Sequence, residues 1–176
     1  MTRPAIIKKE NISALDRFAY ALATGFGAGF APVAPGTFGA IEGVVVFFAF
    51  LALSSRFSLS PRLSFTLLAI INVVLFAVGV WASNRACEIS GVKDPSQIVI
   101  DEVSGQLIAL TPLAGSVSVA GVIAALVLFR LFDILKPYPI RKLEALPAGF
   151  GVMSDDALAG VYAAMIVWLA LLWRLI

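Results

Sequence analysis

Acidic side chains stand in this chain where the flanking residues are most apolar. Asp101-Glu102 follow Ile98-Val99-Ile100, Asp133 lies within Phe129–Pro137 together with Arg130 and Lys136, and Asp155-Asp156 abut the last apolar run. An ionised group in hydrocarbon is costly, so such residues persist by facing one another, a metal or a polar substrate. Adjacent carboxylates repel, and a hard divalent cation with a preference for oxygen ligands, such as Mg²⁺, relieves that repulsion. Asp101, Glu102, Asp133, Asp155 and Asp156 are therefore the candidate metal ligands. Asp101, Glu102, Asp133 and Asp156 are also the candidate catalytic acids and bases. Arg130, Lys136 and Arg141 can donate charge-assisted hydrogen bonds to a phosphoryl group. The expectation is an acidic metal site with a basic collar: a phosphatase at a membrane surface.

Blander readings exist for each part. Arg130 and Asp133 are spaced i, i+3 and could form only an internal ion pair. Ser154 could cap the last helix, whose N-terminal dipole would then account for one of Asp155 and Asp156. Capping does not account for all five carboxylates. Glu42 is a lone acid that suits either a supporting role or an ion pair. Gly25–Gly39 (GFGAGFAPVAPGTFG) is rich in glycine and proline, and its backbone amides could hold an anion. Thr37, after Pro35-Gly36, is a candidate N-cap and phosphate donor. Cys87 has Lys93 rather than arginine six residues on and no glycine-dense cradle, so it reads as packing, not as a nucleophile.

The elements that must position these groups are membrane helices. The chain is 60% apolar and only 14% charged, against about a quarter charged in soluble domains. Its 176 residues form one domain, and a net charge of +2 without a basic run excludes a nucleic-acid partner. With no histidine, imidazole is unavailable as base or ligand, and one cysteine excludes a disulfide framework. Residues 1–17 have charges without an apolar core between them, which excludes a cleavable signal and suggests a cytosolic start.

A helical span needs roughly 20 apolar residues. The charge pattern gives an all-α, polytopic bundle with about five membrane elements: 37–53, 63–85, 95–111, 117–136 and 155–174. The stretch Val103–Phe129 decides the architecture. As one straight helix it would hold Glu102 and Arg130 about 40 Å apart. Pro112 and Gly115 predict a turn instead, with antiparallel helices over 95–110 and 117–136 that bring the charges together. Lys136 precedes Pro137, so the second helix should end there. With the amino terminus inside, ten cations (Arg3, Lys8, Lys9, Arg17, Arg85, Lys93, Arg130, Lys136, Arg141, Lys142) face the cytosol and three (Arg56, Arg62, Arg174) face away.

Three motifs, in order, resemble the bacterial phosphatidylglycerophosphatase A family: Gly25–Gly39, Ile98–Gly105 (IVIDEVSG) and Phe129–Gly160 (FRLFDILKPYPI…GFGVMSDDALAG). The resemblance covers about residues 20–165. It implies an all-helical, Mg²⁺-dependent phosphatase of the bacterial inner membrane that converts phosphatidylglycerophosphate to phosphatidylglycerol and phosphate, with its site facing the cytosol. By position it carries function onto Asp101, Glu102, Asp133, Asp155 and Asp156, with Arg130, Lys136 and Arg141 beside them. The chain departs from the family in having Ala28, Ala31 and Ala40 where serine is frequent, and in its Ala145–Ala148 loop. The partner is a phospholipid in the bilayer, or, as an alternative, another lipid phosphomonoester such as phosphatidic acid. A cation transporter, whose intramembrane acids line an ion path, is the competing class.

Overall fold

The computed structural model describes residues 12–176, and every regular element among them is helical. In chain order these are α1 (Ala14–Ala23), a 3-10 turn (Gly25–Phe30), α2 (Pro35–Arg56), α3 (Pro61–Ser90), α4 (Ile100–Leu110), a second 3-10 turn (Thr111–Gly115), α5 (Val119–Leu135), α6 (Ile140–Leu143) and α7 (Ala148–Leu172). Of the basic residues expected at the amino-terminal end, Arg3, Lys8 and Lys9 lie outside the described residues.

Three helices, α2, α3 and α7, are long and apolar enough to cross a membrane. Their outer faces carry exposed Val45, Phe48, Val73, Val74, Met165 and Trp168, which suit lipid rather than water. At 30 residues, α3 is about 45 Å long and outruns a hydrocarbon core of about 30 Å. Of the five elements expected, three have spanning length, and the other two form a shorter hairpin of α4 and α5, with 11 and 17 residues. The turn falls where Pro112 and Gly115 predict it. Gly115 packs on Pro61 at the start of α3, so the hairpin dips to the level where α3 begins.

Local sequence explains most boundaries. Pro61 occupies the first turn of α3 and Ser60 accepts from Leu63 N. Gly91, with φ 70°, closes that helix in the left-handed region. Ser118 caps α5 through Gly121 N at 2.9 Å. α5 stops at Leu135, before the Lys136-Pro137 pair.

Four expectations need correction. α1 has no counterpart among the predicted elements; Ser13 and Asp16 start it with reciprocal side-chain-to-backbone hydrogen bonds. α4 begins at Ile100 rather than 95, because Pro95–Val99 forms a turn in which Ile98 N donates to Pro95 O and Val99 N to Ala23 O. Thr37 is not a cap: Ala34 takes that place in a left-handed conformation, and Thr37 lies within the first turn of α2. α7 begins at Ala148, seven residues before the predicted start, so Ser154 and both aspartates are interior to it. Its end is capped from α3, with Gly149 N donating to Asn84 Oδ1 at 2.7 Å.

α4 is the axis of the bundle, packed against α2, α3, α5 and α7. Leu107, Ala109 and Leu110 are fully buried. Close approach on two sides depends on small residues. A Cβ on Gly39 would sit 2.9 Å from Val99 Cβ, and one on Gly43 would sit 2.9 Å from Gln106 Cβ. On the opposite side, a Cβ on Gly160 would meet the Gly105 backbone. Helices in lipid gain no hydrophobic drive from associating, so this intimacy is what van der Waals packing requires.

Candidate active site

Two short stretches of helix supply the deepest acids. Asp101 and Glu102 lie in the first turn of α4, and as neighbours on a helix they point in directions about 100° apart. Glu102 faces α2 and α5: its carboxylate lies against Gly36, and its Oε1 is 3.9 Å from Arg130 Nη1. Asp156 reaches the same place from α7, whose backbone there lies against Gly105. One carboxylate oxygen each from Asp101, Glu102 and Asp156 fall within 4.8 Å of one another.

The other two carboxylates are held by cations. Arg130 Nη1 lies 2.7 Å from Asp133 Oδ2, the i, i+3 pair expected from the spacing. Lys136 Nζ lies 2.7 Å from Asp155 Oδ2 and also pairs with Glu144, from the segment after α6. Asp101, Glu102, Asp133, Lys136, Asp155 and Asp156 all line one cavity of about 360 Å³. Lys93, Asp94, Ser96 and Glu144 form further parts of its wall. The proposed phosphate ligands separate into two groups. Lys136 lines the cavity, and Arg130, off its wall, borders the acids through Asp133 and Glu102. Thr37, whose amide bonds Ala34 O, and exposed Arg141 on α6 are not on the cavity wall.

Unpartnered buried atoms mark what the cavity lacks. Asp101 Oδ1, Glu102 Oε2, Asp155 Oδ1 and Arg130 Nε are buried with no hydrogen-bond partner. Leaving such groups unsatisfied costs about 1–3 kcal/mol each, more for charged ones. Three converging carboxylates, two of them with an unpartnered oxygen, are what a hard divalent ion takes, and the donor set contains neither sulfur nor imidazole. The residues therefore fit Mg²⁺, and an adjacent Arg130 donor fits an anion beside it.

Three contributors escaped sequence reading. Gly36 lets α2 approach the Glu102 carboxylate and Arg130, visible beforehand only as part of a glycine-rich run. Glu144 is a lone acid just before the Ala145–Ala148 loop, with no spacing to link it to Lys136. Lys93 counted only as a flanking positive charge. Glu42 Oε2 is buried without a partner against Gly25, outside the cavity wall. Cys87 donates from Sγ to Lys93 O at 2.9 Å, a structural use of the thiol.

The family model described as phosphatidylglycerophosphatase A matches residues 21–171. A Bacteroides thetaiotaomicron protein named "Putative phosphatidylinositol-3-phosphatase" is 41% identical over 152 residues, 85% of this chain and 91% of its own. A Haemophilus influenzae phosphatidylglycerophosphatase A is 38% identical, covering 88% of this chain and 89% of that protein. The Escherichia coli protein of the same name is 32% identical, covering 84% and 80%. No solved structure matches. The match runs from α1 to the last turn of α7 and so takes in every carboxylate of the cavity, which makes this chain a member of the phosphatidylglycerophosphatase A family.

Proposed function

We propose that this phosphoric monoester hydrolase is a single membrane-embedded domain that removes the terminal phosphate of phosphatidylglycerophosphate, leaving phosphatidylglycerol, with Mg²⁺ as cofactor. The observation that carries the reading is the convergence of Asp101, Glu102 and Asp156 in a cavity that Lys136 also lines, with Arg130 bordering the cluster 3.9 Å from Glu102. A phosphomonoester dianion cannot approach so many acids unless a cation reverses the local potential.

Asp101, Glu102 and Asp156 would hold the ion, with Asp133 and Asp155 completing the acidic wall. Bound there, Mg²⁺ supplies a Lewis acid that polarises a phosphoryl oxygen and makes water more acidic. Arg130 donates its free Nε–H to a non-bridging oxygen, while its pairing with Asp133 fixes the guanidinium plane. Lys136 exchanges part of its contact with Asp155 and Glu144 for the substrate phosphate. Thr37 and Arg141, off the cavity wall, act on the approach of the headgroup. Water attacks phosphorus as the bond to the glycerol oxygen breaks. A carboxylate oxygen of the cluster, with Asp156 the first candidate, takes the water's proton, and the leaving alkoxide is protonated in turn.

The acids, α1 and the carboxyl end of α3 share one end of the bundle. Of the ten cations in the described helices and loops, Arg17, Arg85, Lys93, Arg130, Lys136, Arg141 and Lys142 sit at that end, and Arg56, Arg62 and Arg174 at the other. That bias supports a site facing the cytosol from the bacterial inner membrane, with the α4–α5 hairpin as two further membrane elements. The acyl chains then stay in lipid and only the headgroup enters.

Purified protein in mixed micelles should release phosphate from phosphatidylglycerophosphate, lose that activity in EDTA and regain it with Mg²⁺. Undiminished turnover in EDTA removes the metal. The Bacteroides relative favours a second reading, a phosphoinositide monoester, and a panel including phosphatidylinositol 3-phosphate and phosphatidic acid decides between them.

A further inference from the structure

Lys93 stands on the wall of the acidic cavity but takes no part in its ion pairs. Among the described residues it meets no carboxylate within salt-bridge distance; its Nζ donates instead to the Glu144 carbonyl at 3.2 Å. Glu144 pairs through its side chain with Lys136. One residue thus touches both ammonium groups, Lys93 through its carbonyl and Lys136 through its carboxylate. Lys136 points inward to Asp155, whereas Lys93 is exposed at the rim.

The rim lysine is not carried on a loose loop. Gly91 ends α3 in the left-handed region, Cys87 Sγ holds the Lys93 carbonyl, Pro95 is buried, and Val99 N bonds to Ala23 O. The backbone between α3 and α4 is tied on both sides of residue 93. The side chain therefore starts from a fixed point on the rim, and its ammonium is held there by the Glu144 carbonyl.

Resting on the phosphatase reading above, we infer that Lys93 is a specificity residue that binds a second anion of the substrate, the phosphodiester joining headgroup to diacylglycerol. The class of substrate is then a lipid whose phosphomonoester is separated by a polyol from a phosphodiester nearer the bilayer. The monoester occupies the inner cavity at Lys136 and the acid cluster that Arg130 borders, and the diester sits outside at Lys93. Asp94 and Ser96, beside Lys93 on the wall, can receive the hydroxyls between them. A phosphatidic acid, with one phosphate directly on its diacylglycerol, cannot reach both positions.

The test compares wild type, Lys93→Ala and Lys93→Arg on phosphatidylglycerophosphate in mixed micelles with Mg²⁺. Two competitors separate the anion positions: inorganic phosphate for the inner one and phosphatidylglycerol, which has only the diester, for the outer one. Lys93→Ala should raise KM about fivefold at moderate salt, as suits a partly exposed charge contact. It should weaken inhibition by phosphatidylglycerol similarly, leaving kcat and inhibition by inorganic phosphate unchanged; Lys93→Arg should restore both constants. An unchanged KM with turnover intact overturns the assignment and leaves the phosphatase reading standing. An equal loss of inhibition by both competitors also overturns it, because Lys93 would then act on the inner site. A wild-type protein that releases no phosphate from phosphatidylglycerophosphate refutes the phosphatase reading, and the inference with it.

Discussion

Two cavities open along α7, the acidic one beside α4 and the other beside α3, and they differ in chemistry. The acidic one, about 360 Å³, lies at the first turn of α4 and holds buried carboxylate oxygens without partners. The other, about 560 Å³, lies at the opposite end of α4 and is walled by Phe65, Phe76, Met165 and Trp168. Its polar residues are few, and Asn72 Nδ2 there donates to Thr111 Oγ1 at 2.9 Å, with Thr111 in turn donating to Leu107 O. The larger opening is walled by apolar side chains; the smaller gathers carboxylates whose oxygens converge. Unsatisfied buried charge, rather than volume, singles out the candidate site.

The sharpest way to break that contrast is to remove charge from the acidic end. Asp101→Asn and Asp156→Asn should each lower kcat by on the order of 10³-fold or more if the carboxylates hold the ion. Both should leave helix content and elution volume unchanged, since an amide relieves repulsion among buried acids. Near-normal rates in both variants would leave the cavity without a catalytic role. A milder change is Arg130→Lys, which keeps the charge but deletes the fork and the free Nε. A loss of about 10–100-fold, read in steady-state kinetics, is expected from one or two charge-assisted hydrogen bonds.

Packing gives a third, intermediate test, on stability instead of rate. Gly160→Ala adds a methyl that would meet the Gly105 backbone, which cannot swing aside as a side chain can. A cost of about 1–3 kcal/mol is expected from overpacking of this kind, measured as a lower midpoint of thermal unfolding in detergent. Activity should fall with it, because separating α4 from α7 separates Asp101 from Asp156. An unchanged midpoint would mean that α7 can shift, and that the carboxylate convergence does not depend on this contact.

What the sequence made legible follows from how local the signals were. The hairpin is written in Pro112 and Gly115, the Arg130–Asp133 pair in an i, i+3 spacing, and the end of α5 in Lys136-Pro137. The start of α7 is not local at all. Gly149 and Gly151 read as a loop, but the helix there is capped by Asn84, 65 residues away, and its glycines admit the backbones of α3 and of the preceding loop. That longer helix is why Asp155 and Asp156 face two different partners from the interior of α7, not from its dipole end. The pairing of Lys136 with Glu144 and Asp155 likewise joins three segments that no spacing connects. α1 was recoverable: Ser13 followed by Asp16 at the third position is a helix-start signature.

The smallest effect belongs to the apolar end, and its smallness is the point. Asn72→Leu removes the hydrogen bond to Thr111 but also removes Asn72 Oδ1, an acceptor buried without a partner. The two changes oppose each other, and Thr111 keeps its bond to Leu107 O. Interhelical hydrogen bonds in membrane proteins average about 0.6 kcal/mol, and an isosteric leucine fills the vacated volume beside an already apolar wall. The net change in unfolding free energy should therefore stay below about 1 kcal/mol, with kcat and KM for lipid substrate unaltered. A large loss of activity on this substitution would connect the apolar cavity to the reaction and erase the distinction between the two ends of α4.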